Sequence, residues 1–265
     1  MKEDTMTNGQ VALVDKFEVS AEIPEDMIEA TALDPGLGVS FNPEDQLLPL
    51  VYILQGLSPQ VNKRGDSYVD GAEPGDFWLR GALQPIRNGE EGIKAIPCGM
   101  QRSWIEWLPE RQGFVARHQE IPHGVQSKKV RRDDGSEMTV AMLGDNIIQD
   151  TREFYIMVEG HPYVLPCTST KHTFARQWQS YFHQLTHPKT GGVMPSPSQL
   201  YLLTTVPVSN AKGDWFGLKF QFLGFVPKPV YEHAKAFANA VKRGERKAEA
   251  PISGAEGERS EEIPF

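Results

Sequence analysis

Residues 215–223 read Trp-Phe-Gly-Leu-Lys-Phe-Gln-Phe-Leu. In an extended strand, alternate side chains take opposite faces. Phe216, Leu218, Phe220 and Phe222 then form one apolar face, which reads as core. Trp215, Gly217, Lys219 and Gln221 form the other: an aromatic ring, a cation and a glycine that permits close approach. Residues 101–108 repeat the pattern. Arg102, Trp104 and Glu106 share one face, and Ser103, Ile105 and Trp107 share the other. In 154–159, Phe154, Ile156 and Val158 are apolar, leaving Tyr155 to face outward beside Arg152 by way of a bend. Lys94 lies on a neighbouring strand, and Lys128, Lys129, Arg131 and Arg132 form the densest positive cluster in the chain. Cations displace the counterions of a phosphate backbone, and exposed rings offer faces on which unpaired bases stack. The plainer reading stands beside this one: a lone tryptophan in a sheet is usually core, and a basic loop is usually solvated.

Other chemistry finds little purchase. His183 and His187 are four apart, a spacing that can hold a metal, but no Glu adjoins His183 and Pro188 follows His187. No glycine-rich phosphate loop, nucleophile elbow or strand-borne carboxylate cluster is present. The sequence thus points to a protein that is not an enzyme and needs no metal or cofactor.

The positioning elements are mostly strands. Residues 47–55, 77–79, 92–98, 101–108 and 113–119 are strand-like, and 120–150 is a long basic loop or hairpin. Residues 154–158 and 163–165 flank a turn. Apolar residues at helical spacing (Phe174, Trp178, Tyr181, Phe182, Leu185) make 168–185 a helix that Ser169 or Thr170 can cap. Two long strands follow at 199–206 and 215–226, and an Ala/Lys/Glu-rich helix begins at Tyr231. This order predicts a mainly β fold: an OB-fold-like Greek-key barrel with one helix between the third and fourth core strands, an N-terminal arm and a C-terminal helix. The domains expected are a flexible acidic arm (1–40), the OB-like domain (41–228), the helix (229–249) and a disordered acidic tail (250–265).

Composition agrees with a soluble globular protein, with 39% hydrophobic and 23% charged residues. No membrane span or secretory signal is expected, and Cys98 and Cys167 read as buried free thiols in a reducing cytoplasm. The net charge of −8 is unevenly spread. Residues 1–48 carry −9 and 250–265 carry −3, leaving +4 on 49–249. A mildly basic middle suits phosphate binding.

The last residues, Glu261-Glu262-Ile263-Pro264-Phe265, place an apolar tip behind an acidic stretch. A partner with an apolar slot and a basic rim could take Phe265 in the slot and the carboxylates on the rim. This ending resembles the C-terminal tip of bacterial single-stranded DNA-binding proteins, and the core is similar in a general way to proteins of tailed bacteriophages. The resemblance implies an OB-type domain that coats and protects single-stranded DNA in replication, recombination and repair. It also implies a tip that recruits partner enzymes, in the host cell cytoplasm if the protein is phage-encoded. Tetrameric assembly does not carry over, because an acidic arm and extra strands precede the core, though a homo-oligomer remains compatible. The alternative reading is a non-catalytic phage structural or adaptor protein with a β-rich core.

Overall fold

A computed structural model describes residues 25–32, 47–131, 137–210 and 213–252. The chain divides into two compact units, residues 1–42 and 43–265. In the first, α1 (Glu25–Thr31) lies within the stretch expected to be an arm. The second contains strands β1 (Leu47–Leu48), β2 (Val51–Ile53), β3 (Phe77–Leu79), β4 (Ile86–Arg87), β5 (Ile93–Trp107), β6 (Phe114–His118), β7 (Gln126–Arg131), β8 (Glu137–Leu143), β9 (Asn146–Val158) and β10 (His161–Thr168). Then come α2 (Lys171–Phe182), β11 (Gln199–Asn210), β12 (Gly213–Phe225), α3 (Lys228–Lys242) and β13 (Lys247–Ala248).

The fold is mainly β, with an antiparallel sheet and a C-terminal helix, as the sequence predicts. Two long strands, β5 and β9, pair along residues 95–107 and 147–158 and form its spine. One half of the spine is flanked by β11–β12 and β10, the other by β6 and β8–β7. The sheet is not a closed barrel. Its path ends in β12 and β7, and the smaller sheet β2-β3-β4 meets it through one parallel bridge, Leu50 to Val164. The two strands read at 92–98 and 101–108 are one, because a bulge between Pro97 and Gly99 absorbs the irregularity without ending the pairing. The basic stretch resolves as the β7–β8 hairpin.

Both faces of the spine are covered. On one, Phe154, Ile156, Leu165 and Leu203 pack against Val51 and Phe77 of the small sheet and Phe174 and Trp178 of α2. On the other, Ile96, Tyr155 and Met157 pack under Ala234, Phe237 and Val241 of α3. For β12, alternation holds: Phe216, Leu218, Phe220 and Phe222 join the first core.

Local chemistry explains the junctions. The β9–β10 turn needs positive φ at both central residues, and Glu159 (52°) and Gly160 (82°) supply it. Gly89 allows a close crossing, since a Cβ there would sit 2.0 Å from the Gly75 carbonyl oxygen. Thr205 ties that crossing, its N–H donating to Gly89 O (2.9 Å) and its hydroxyl to Gly75 O (2.6 Å). The expected side-chain cap of α2 is absent: Thr170 occupies the cap position in a helical conformation and makes no capping hydrogen bond. Pro227, at the cap position, and Pro229, on the first turn, start α3, where a missing N–H costs nothing.

Candidate nucleic-acid interface

Registered partners in a sheet share a face, so the pairing assigns each candidate residue to a side. Arg102 lies opposite Arg152, Trp104 opposite Asp150, and Glu106 opposite Ile148. On its other flank Trp104 is registered with His118. Ile148 pairs with Ala141, Ala141 with Ser127, and alternation brings Lys129 and Arg131 to the same side. Arg102, Trp104, His118, Arg152, Lys129 and Arg131 therefore share the face that α2 covers further along the spine.

The remaining candidates go elsewhere. Lys94, Leu202 and Gln221 are registered across β5, β11 and β12, as are Thr204 and Lys219, and Val208 and Trp215. This row lies on the opposite face, because Tyr201 and Leu203, between them along β11, point into the first core. Lys94 and Lys219 are exposed there and Trp215 is half-buried. Lys128 belongs to that face too, and its ammonium donates to Gly144 O (3.2 Å). One surface holding Trp104, Trp215 and Lys219 together does not form.

Tyr155 corrects the sequence reading. Alternation rightly puts it opposite Phe154 and Ile156, but α3 covers that side, and the ring is only 2% exposed. Its hydroxyl donates to Gln101 Oε1 (3.0 Å), and burial pushes its pKa up to about 12. It offers no face to a base. Arg152 is on the other side of β9 from it, not beside it. Arg132 and the tip residues Glu261, Glu262, Ile263, Pro264 and Phe265 lie outside the described residues.

The centre of the shared face is a charge-stacked unit. The Arg102 guanidinium lies 5.0 Å from the Trp104 ring centroid. Its Nε and Nη2 each donate to one Asp150 carboxylate oxygen at 2.8 Å, a parallel fork. The Arg102 side chain remains 52% exposed, so the pair contributes only roughly 0.2–1 kcal/mol to stability. Burial would raise the Asp150 pKa, but the Arg102 hydrogen bonds and the His172, Arg102 and Arg152 charges outweigh it and hold the carboxyl below its ordinary value. His172, on the first turn of α2, donates from Nε2 to the Asp150 carbonyl (3.1 Å). Burial, and then Arg152, lower its pKa and favour the neutral ring.

Beside this unit, Glu106 is clamped. Asn146 Nδ2 donates to its Oε1 (2.6 Å), and His118 Nε2 lies 2.8 Å from its Oε2. Lys129 pairs with Glu137 at 3.5 Å near the hairpin end. Asp150, Asn146 and His172 carry no signal in the sequence. Asp150 is 48 residues from Arg102, Asn146 is 40 from Glu106 and His172 is 22 from Asp150, and no spacing rule links them. Only the β5–β9 register brings Asp150 to Arg102.

Among the described residues no group of His, Cys, Asp and Glu could hold a metal ion. Nor is any helix there long and apolar enough to cross a membrane. A family model described as Pam3 phage gp34-like protein matches residues 28–247, most of the chain. No curated protein and no solved structure matches it.

Proposed function

The chain belongs to the Pam3 phage gp34-like family, and we propose that it is a non-catalytic, sequence-non-specific single-stranded DNA-binding protein of the host cell cytoplasm. It coats and protects the unpaired strand during replication, recombination and repair. The observation that carries this reading is the exposed Arg102 guanidinium stacked over Trp104, with Arg152, Lys129 and Arg131 on the same face. Such a surface combines the two requirements of unselective strand binding, cations along a track and a ring for a base. Ile263-Pro264-Phe265, behind its acidic stretch, recruits replication and repair enzymes.

Titration of tryptophan fluorescence with oligo-dT tests the DNA claim. Binding with quenching and a steep fall in affinity as salt rises is expected, and Trp104→Ala should lose much of the quenching. No affinity at about 50 mM salt would overturn it. The tip is tested separately. Deleting Ile263–Phe265 should abolish capture of host replication enzymes while DNA binding stays equal or tightens.

A structural or adaptor role is the second reading, favoured by the division of the candidate residues between two faces of the sheet and by the burial of Tyr155. Absence of DNA binding with an intact fold would leave that reading standing.

A further inference from the structure

Asp150 is the least explained residue of the interface. A surface meant for a polyanion has a carboxylate at its centre, held by an exposed arginine. Three observations account for it. The Arg102–Asp150 fork uses two parallel N–H···O contacts of 2.8 Å, the geometry in which arginine also grips a phosphate. The carboxylate is crowded by cationic groups: Arg152 Nη1 lies 4.0 Å from Oδ2, and that nitrogen is buried without a hydrogen-bond partner. Finally the two partners differ in freedom, with the Arg102 side chain 52% exposed and that of Asp150 16% exposed. The arginine can swing outward; the aspartate cannot follow it.

We infer that Asp150 is an internal stand-in for phosphate that must be displaced from Arg102 when the strand binds, and so sets what the site accepts. The inference rests on the single-stranded DNA reading and deepens it. A DNA phosphate takes over the Arg102 fork, exchanging one bidentate contact for another. Because the guanidinium also covers Trp104, its outward swing uncovers the ring for a base in the same movement. A free phosphate must compete against a carboxylate tethered in place, whose effective concentration is high. A polynucleotide brings a stacking base along with its phosphate and wins. The site therefore favours strands over free anions. When Arg102 leaves, the Asp150 carboxylate keeps a cationic neighbour in Arg152, 4.0 Å away, so the charge left behind is not stranded.

The test is fluorescence titration of the full chain and of Asp150→Asn and Arg102→Gln, with oligo-dT and separately with inorganic pyrophosphate. Asp150→Asn removes the competitor, so it should bind oligo-dT about tenfold tighter at about 50 mM salt, with a salt slope steeper by roughly 0.7 to 1. It should also gain measurable pyrophosphate binding that the parent lacks. Arg102→Gln should bind oligo-dT severalfold more weakly, with a shallower slope. If the parent binds oligo-dT but Asp150→Asn binds it equally or more weakly, the inference is overturned and the DNA reading survives. Arg102→Gln with unchanged affinity and slope overturns it as well, whatever the behaviour of Asp150→Asn. If no form binds oligo-dT, the DNA reading itself fails and takes the inference with it.

Discussion

The side chain of Gln55 hydrogen-bonds both backbone polar groups of Phe216: its Nε2 donates to the carbonyl (3.1 Å) and its Oε1 accepts from the N–H (2.8 Å). β12 ends the path of the large sheet, and Phe216 sits on it. A primary amide carries an N–H donor and a C=O acceptor side by side, as a peptide group does, so it imitates the next strand. Edge strands with free backbone groups are templates for pairing with other chains. Gln55 blocks this one from the loop after β2.

Gln55→Ala should therefore lower stability by about 1–3 kcal/mol, the cost of leaving two partly buried backbone groups unpaired. Urea unfolding would measure it. Gln55→Glu should fail to restore the parent value, because a carboxylate cannot donate to the Phe216 carbonyl. Light scattering should show increased self-association for Gln55→Ala, and unchanged stability would mean the contact is incidental.

Trp178 is fully buried at the centre of the first core, with the rings of Phe154, Phe182, Phe174 and Tyr201 at 4.9, 5.3, 5.4 and 5.6 Å. Its indole N–H has no hydrogen-bond partner. Trp178→Ala should cost about 3–5 kcal/mol, the range for emptying a large aromatic site. Trp178→Phe should cost distinctly less, since it loses volume but also removes an unpaired buried donor. The contrast, read from paired denaturation curves, checks the packing; equal losses would show that the N–H is satisfied in solution.

How much of this was legible beforehand depends on the range of the interaction. Alternation placed Phe216, Leu218, Phe220 and Phe222 in the core and Arg102 with Trp104 on one face, because strand geometry is local. It also set Tyr155 correctly opposite Phe154. What it could not supply was the cover on that side: α3 follows β9 by some 70 residues in sequence, and nothing near Tyr155 announces it. The same limit applies to the candidate interface. Asp150 reaches Arg102 through a register across 48 positions, and the separation of Trp104 from Trp215 emerges only from pairing summed over several strands. At Pro97–Gly99 the sequence predicts a strand end, since proline and glycine usually mark one, whereas the pairing runs on through a bulge.

Arg117 ties the C-terminal segment to the sheet. Its Nε donates to Glu153 Oε1 (3.0 Å), Nη1 to Ala248 O (2.7 Å) and Nη2 to Glu249 O (2.9 Å). The Glu153 side chain is only 3% exposed, and Ser103 Oγ also donates to it (2.8 Å). Removing one partner of a buried pair strands the other charge, so Arg117→Met should cost about 3–5 kcal/mol. It should also make residues 247–252 more open to limited proteolysis, leaving the short β1–β13 pairing, the Glu249 contacts with Leu50 and Arg80, and the Tyr52 hydroxyl to hold them. Replacing Arg117 and Glu153 together by apolar residues should cost less than the single change. Protease resistance unchanged in Arg117→Met would show that the strap does not depend on it.

Acid should loosen the half of the sheet around Trp104 through Glu106. The Asn146 hydrogen bond is the largest influence, and together with that from His118 and the His118 charge it holds the Glu106 pKa below its ordinary value of 4.5, against the opposing effect of burial. A depressed folded-state pKa means that the unfolded chain binds the proton more readily. The stability this carboxylate contributes is thus complete above about pH 4.5 and is lost as pH falls through the lower folded-state value. Asp150 is depressed too and acts in the same direction. Glu106→Gln should lower stability near neutral pH, because the amide loses the charge that Asn146 and His118 address. It should also flatten the decline below about pH 4.5, since one proton fewer is taken up on unfolding. Melting temperatures of both proteins across that range give the comparison. Parallel curves would show that Glu106 does not carry the acid sensitivity.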